Sequence, residues 1–178
     1  MPNHENSVTL KTLTLTFTIA LTAAVAAGCG ATHRVKATMS NTAIFNPSEQ
    51  VQPATAVLRS YFAALNAGDV DAIVPLYAAD AVFMAQHMSP AIGHAEIESA
   101  YRGIFGMIRL DVELDIDEIV VVSPTVAYAR THSTGTTTFL ANDTQVSEGN
   151  SELFVLVRDD ERGDWRIGRY IFSTTQPR

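Results

Sequence analysis

Cysteine is nearly absent from this sequence: Cys29 stands alone among 178 residues. No internal disulfide can form, so the folded part must be held by its apolar core. Basic clusters are missing too. The net charge is −7, and the chain has neither a Lys/Arg run nor a basic helix face, which argues against nucleic acid as a partner. No HExxH, paired-cysteine or P-loop pattern occurs, and no GxGxxG follows a strand. Neither a metal nor a nicotinamide, flavin or other cofactor is therefore expected. The five histidines (His4, His33, His87, His94, His132) are scattered, which argues against zinc as well.

What is present begins with an apolar run. Lys11 precedes Leu13, Leu15, Phe17, Ile19, Leu21 and an Ala-rich stretch to Ala27, the length of a signal-peptide core and short for a membrane span. The run closes on Ala26-Ala27-Gly28-Cys29, which is similar to a bacterial lipoprotein box. Residues 1–28 read as a signal peptide, with Cys29 diacylated as the new N-terminus and anchored to a membrane. Cleavage after an A-x-A site such as Ala24-Val25-Ala26 is the alternative, and would release a soluble secreted or periplasmic protein. Residues 29–46 are small and polar without sustained period and read as a tether. The domain then spans 47–178. Removing the leader takes away Lys11 and Glu5 and leaves the charge at −7.

Within the domain, helical spacing comes first. Asn46-Pro47-Ser48-Glu49 offers an N-cap, Pro at N1 and Glu at N3, with Pro53 as an alternative first turn. Val57, Leu58, Tyr61, Phe62 and Leu65 form one apolar stripe up to Ala67. Gly68 supplies the left-handed stop, and Asp69 caps a second helix from Val70 to Tyr77 that Pro75 makes irregular. A strand is expected over Ala81–Gln86. Glu96, three residues after Gly93, gives a second capping box for a helix over about Ala95–Gly106, with Ile97, Ala100, Tyr101, Ile104 and Phe105 on one face. Period two takes over at Ile108 and runs to Asp117, continuing through Ile119–Val122. Val126–Phe139, Gln145–Arg158 and Trp165–Ser173 complete the strands, joined by turns at Ala141-Asn142-Asp143 and Asp159–Asp164. Helices followed by hairpin-connected strands is an α+β layer pattern. The carboxylates Asp111, Glu113, Asp115 and Asp117 sit about 7 Å apart along their strand, too far to share an ion, and read as a solvated, edge-protecting face.

The run Tyr61-Phe62-Ala63-Ala64-Leu65-Asn66-Ala67-Gly68-Asp69, with Leu76-Tyr77-Ala78-Ala79-Asp80-Ala81 after it, resembles the nuclear transport factor 2-like (SnoaL-like) superfamily, and most of all bacterial ketosteroid isomerases. The likeness extends from about Pro53 to Gln176. It implies a cone-shaped α+β fold, three N-terminal helices packed on a curved, mainly antiparallel sheet around a cavity, and a homodimer. It also implies roles. The oxyanion-binding Tyr falls on Tyr61 and the protonated Asp on Glu152, while the proton-shuttling Asp falls on Ala85. Alanine cannot take up a proton, so the isomerase mechanism does not carry over intact.

Phe83, Ala85 and His87 share a face if the strand continues, which makes His87 a candidate replacement base. Tyr128, Arg130 and His132 share one face of the next long strand. Turned inward, they would line the cavity, with Arg130 pairing Glu152; turned outward, they would meet solvent or a partner subunit. Phe154, Tyr170 and Phe172 serve as core, as ligand platform, or as both. Tyr61 lies on the apolar stripe, so packing with one hydrogen bond competes with a catalytic role. The first reading is a binder of a small, mostly apolar molecule in the cone cavity. The second is an acid–base isomerase, dehydratase or cyclase with His87 or His132 as base and Tyr61 as oxyanion donor. The third is a homo-oligomeric association module.

Overall fold

Asn46 starts the described part of the chain by capping a helix. Its Oδ1 accepts from the Ser48 amide at 3.2 Å and its Nδ2 donates to Glu49 at 2.9 Å, so α1 spans Pro47–Ala67 and runs on through Pro53. The computed structural model describes residues 45–176. Cys29, the leader and the tether up to residue 44 lie outside them. Gly68 ends α1 at φ 65°, a left-handed position where a Cβ would be strained. Asp69 then caps α2 (Val70–Ile73) by accepting from the Ala72 amide at 2.9 Å. Pro75 cuts this helix short. A 3-10 turn over Val74–Leu76 replaces its second half, and β1 (Tyr77–Met84) begins four residues earlier than the sequence pattern suggests.

After β2 (Ala91–Ile92), α3 spans Gly93–Phe105. Its first turn is closed by Glu96, whose carboxylate accepts from the Ile92 amide at 2.8 Å, although Ile92 as N-cap offers no side-chain bond in return. Four long strands follow: β3 (Ile108–Ser123), β4 (Val126–Phe139), β5 (Thr144–Val157) and β6 (Arg166–Thr174). The six strands form one curved sheet in the order β2-β1-β6-β5-β4-β3. Neighbours are antiparallel except β1 and β6, which are parallel. Three helices on a mostly antiparallel curved sheet is the α+β architecture expected from the sequence.

Two register slips decide which side chains reach the core. On β3 the pairing slips between Ile116 and Glu118, leaving Asp117 as an extra residue. On β6 Leu156 pairs with Ile167 and Val155 with Arg169, so Gly168 is the extra residue. Strict alternation would put Ile167 on the outer face with Arg169; the bulge turns it inward, fully buried beside Leu156. The core is aromatic: Tyr61, Phe62, Tyr77, Phe83, Tyr101, Phe154 and Tyr170 are each at most 4% exposed. Phe154 and Tyr170 stack at 4.1 Å, Phe83 stacks on Tyr101 at 4.9 Å, and Tyr61 meets Phe154 edge-on at 5.7 Å. Fully burying one such ring contributes about 2 kcal/mol before packing geometry is added.

Candidate functional site

A chain of hydroxyls crosses this aromatic core. The Tyr101 hydroxyl lies 2.7 Å from that of Tyr61 and 2.8 Å from that of Tyr77. Each phenol carries one proton, and Tyr77 and Tyr101 are buried with no other hydroxyl partner among the described residues. A buried unpaired proton is costly, so Tyr77 donates to Tyr101 and Tyr101 to Tyr61. On its other side the Tyr61 ring meets Tyr170 edge-on, with centroids 5.5 Å apart. Tyr170 in turn donates to Glu152 Oε1 at 3.2 Å. One phenol network thus joins Tyr61 from α1, Tyr101 from α3 and Tyr77 from β1, and Tyr170 from β6 carries the phenol bond to Glu152.

Glu152 sits mid-way along β5, 4% exposed. Besides Tyr170 it accepts from Thr131 Oγ1 at 2.5 Å and from Ser133 Oγ at 3.1 Å, both on β4. Among the described residues no Lys, Arg or His forms an ion pair with it. Burial raises its pKa above the ordinary 4.5, and the three hydroxyl bonds offset part of that rise. Burial likewise pushes the phenols of Tyr61, Tyr77, Tyr101 and Tyr170 up, so all four stay protonated as donors. The inward face of β5 grades outward from this point. Leu156 and Phe154 are sealed, Glu152 is barely touched by solvent, and Asn150 and Glu148 are partly exposed. Phe172, cross-strand from Glu152, is also partly exposed. Glu152 therefore marks the floor of the open end of the sheet's concave side.

A family model described as the SnoaL-like domain matches residues 58–162, well over half of the chain. This chain belongs to the SnoaL-like domain family. A ketosteroid isomerase-like protein from Erwinia carotovora atroseptica SCRI1043 is similar at 29% identity and a TM-score of 0.70, over 75% of this chain and 100% of that one. A protein from Novosphingobium aromaticivorans DSM 12444, provisionally named scytalone dehydratase, has 16% identity and a TM-score of 0.62, with 72% and 86% covered. A domain from Thiobacillus denitrificans ATCC 25259, provisionally named a calcium/calmodulin-dependent protein kinase type II association domain, has 16% identity and a TM-score of 0.57, with 68% and 94% covered. No curated protein matches the chain.

In this SnoaL-like domain Tyr61, Glu152, Phe83, Phe154, Tyr170 and Phe172 come together on the concave side. The polar set of β4 does not join them. Ala127, Ala129, Thr131 and Ser133 face inward, and Tyr128, Arg130 and His132 face outward. An inward Arg130 pairing with Glu152 is thus corrected. Arg130 bonds Asp117 at 2.7 Å and Glu118 at 3.2 Å, because the extra residue in β3 brings two carboxylates opposite it. His132 lies between Asp117 at 3.0 Å and Asp115 at 3.4 Å. His87 is corrected as well. The strand stops at Met84, and His87 turns away in an exposed loop at φ 63°, so it does not continue the face of Phe83 and Ala85.

The residues that sequence reasoning missed are Tyr77, Tyr101, Thr131 and Ser133. Tyr101 had been read as one apolar position among several, although a buried phenol always asks for a partner. Thr131 and Ser133 fall on the face opposite Arg130 and His132 by alternation, which alone does not tie them to Glu152. Two surface grooves, of about 330 and 280 Å³, lie beside Met88–Ala91 and α3 and beside Asn66–Gly68 and Arg109. Neither includes Tyr61 or Glu152.

Proposed function

We propose that this domain binds a small, mostly apolar molecule carrying a carbonyl, enol or phenol oxygen, seated at the open end of the concave side against Glu152. The observation that carries this is one buried carboxyl without a cationic partner among the described residues, ringed by Thr131, Ser133 and Tyr170 in a wall of aromatic rings. Aromatic walls with a few convergent polar groups are the usual make-up of a small-molecule site. Phe83, Phe154, Tyr170 and Phe172 supply the apolar platform. Tyr61 and Glu152 supply the groups that fix an oxygen. The same carboxyl favours a second reading, an isomerase, dehydratase or cyclase in which Glu152 moves the proton that Ala85 cannot. His87 and His132, both exposed and off the concave side, do not support that role.

Export and lipid anchoring through Cys29 complete the proposal, on the strength of the apolar run and the small residues before Cys29. A homodimer is proposed as well, since Val120, Val122, Leu153 and Ile171 leave apolar surface on the outer face of the sheet. The test of binding is thermal unfolding of the full chain against steroids, polyketides, aromatic acids and fatty acids. A compound at a hundred times its Kd adds about 2.7 kcal/mol of stability. No shift across all four classes, with a stable oligomer, would reject the binding reading and favour association.

A further inference from the structure

His132 faces away from the site, yet it is flanked by the two residues that hold Glu152. On β4 Thr131 and Ser133 point inward and donate to the carboxyl at 2.5 and 3.1 Å, and His132 between them points outward. Its Nδ1 meets Asp117 Oδ1 at 3.0 Å and its Nε2 meets Asp115 Oδ2 at 3.4 Å. A carboxylate thus stands beside each ring nitrogen, and the ring is held from both sides. Asp117 is itself the extra residue of the β3 slip, and its second oxygen is held by Arg130 at 2.7 Å. Three residues of one strand are therefore gripped from both faces of the sheet at once.

We propose that His132 is a positioning residue for Glu152. Clamped between Asp115 and Asp117, it fixes the stretch of β4 that presents Thr131 and Ser133 to the carboxyl. The charged groups facing His132 are Asp115 and Asp117 from β3, with Glu118 and Arg130 beside them. From β5 and β6 its row contributes Ser151 and Ser173, neither of which titrates in this range. On the inner face the titratable groups around Glu152 are Tyr170 and, behind it, Tyr61, both protonated. The positive charge of His132 lowers the Glu152 pKa, against the larger upward push of burial. Inside and outside of the sheet are thereby linked: the outer ion cluster, open to solvent and salt, sets how readily the floor of the site holds a proton.

The inference does not depend on the identity of a ligand, and its test can fail while binding succeeds. Carbon-13 NMR of the glutamate carboxyls in the full chain, with Glu152 assigned by its loss in Glu152→Gln, follows the titration directly. Removing the charge in His132→Gln should move the Glu152 midpoint up by about half a pH unit, the scale of one partly screened charge across a strand layer. His132→Lys, which keeps a charge at the position, should shift it less. His132 is on the surface, so both variants are expected to fold, and their melting curves check this. A midpoint that stays put in His132→Gln, or moves equally in both variants, would overturn the proposal.

Discussion

At the scale of a residue, Glu152 holds a carboxyl where water barely reaches and with which no cation among the described residues forms an ion pair. Its pKa is raised by burial above the 4.5 of a free side chain. A folded state that holds this proton more tightly than the unfolded chain is favoured by acid. The contribution is full below the unfolded value and is lost as pH rises through the higher folded value. Glu152→Gln mimics the protonated form and removes the dependence. Its melting temperature relative to the parent should therefore rise between pH 5 and pH 8. A difference that stays flat with pH would mean that burial does not shift this group. The family resemblance singled out Glu152 in the sequence, and the structure shows it buried on the inward face of β5. Its partners were not legible there, because Thr131 and Ser133 reach it only when β4 and β5 pair in one particular register.

At the scale of an element, the best evidence that local pattern decides structure is the first helix and its exit. Asn46, Gly68 and Asp69 cap as their positions in the sequence dictate. Asn66 does something that no local rule announces. Its amide both donates to the Val112 carbonyl at 2.8 Å and accepts from the Val112 amide at 3.0 Å, pairing with the free side of the edge strand β3 as a neighbouring strand would. Asn66→Ala leaves both backbone groups without that partner, and Val112 is 5% exposed. The expected cost is about 2 kcal/mol, one per hydrogen bond lost. Urea unfolding should show it as a lower midpoint with an unchanged slope. The strands were legible from their alternation, and alternation failed where a bulge resets it. Gly168 turns Ile167 inward, and a lone glycine in a strand was the available warning. For β4 the alternating pattern gave two faces, both partly polar. Which one faced the helices was settled by packing: Ala127 and Ala129 leave room for the aromatic rings where Tyr128 and Arg130 would not.

At the scale of the molecule, three helices and a curved sheet enclose an aromatic interior with one polar floor, and the outer face carries the ion cluster of Asp115, Asp117, Glu118, Arg130 and His132. The α+β architecture was legible because helical spacing dominates up to Phe105 and period two takes over at Ile108. The curvature of the sheet was legible only through resemblance, since no period records which way a sheet curves. The account stands on the claim that a ligand sits against Glu152 and Tyr61. The most direct measurement is the stabilisation that the best compound of the thermal-unfolding panel gives to the parent chain, to Tyr61→Phe and to Glu152→Gln, each compared with its own ligand-free melting temperature. The account predicts that both substitutions cut the ligand-induced shift while the unliganded variants remain folded. A shift of the same size in all three would place the ligand elsewhere and contradict it.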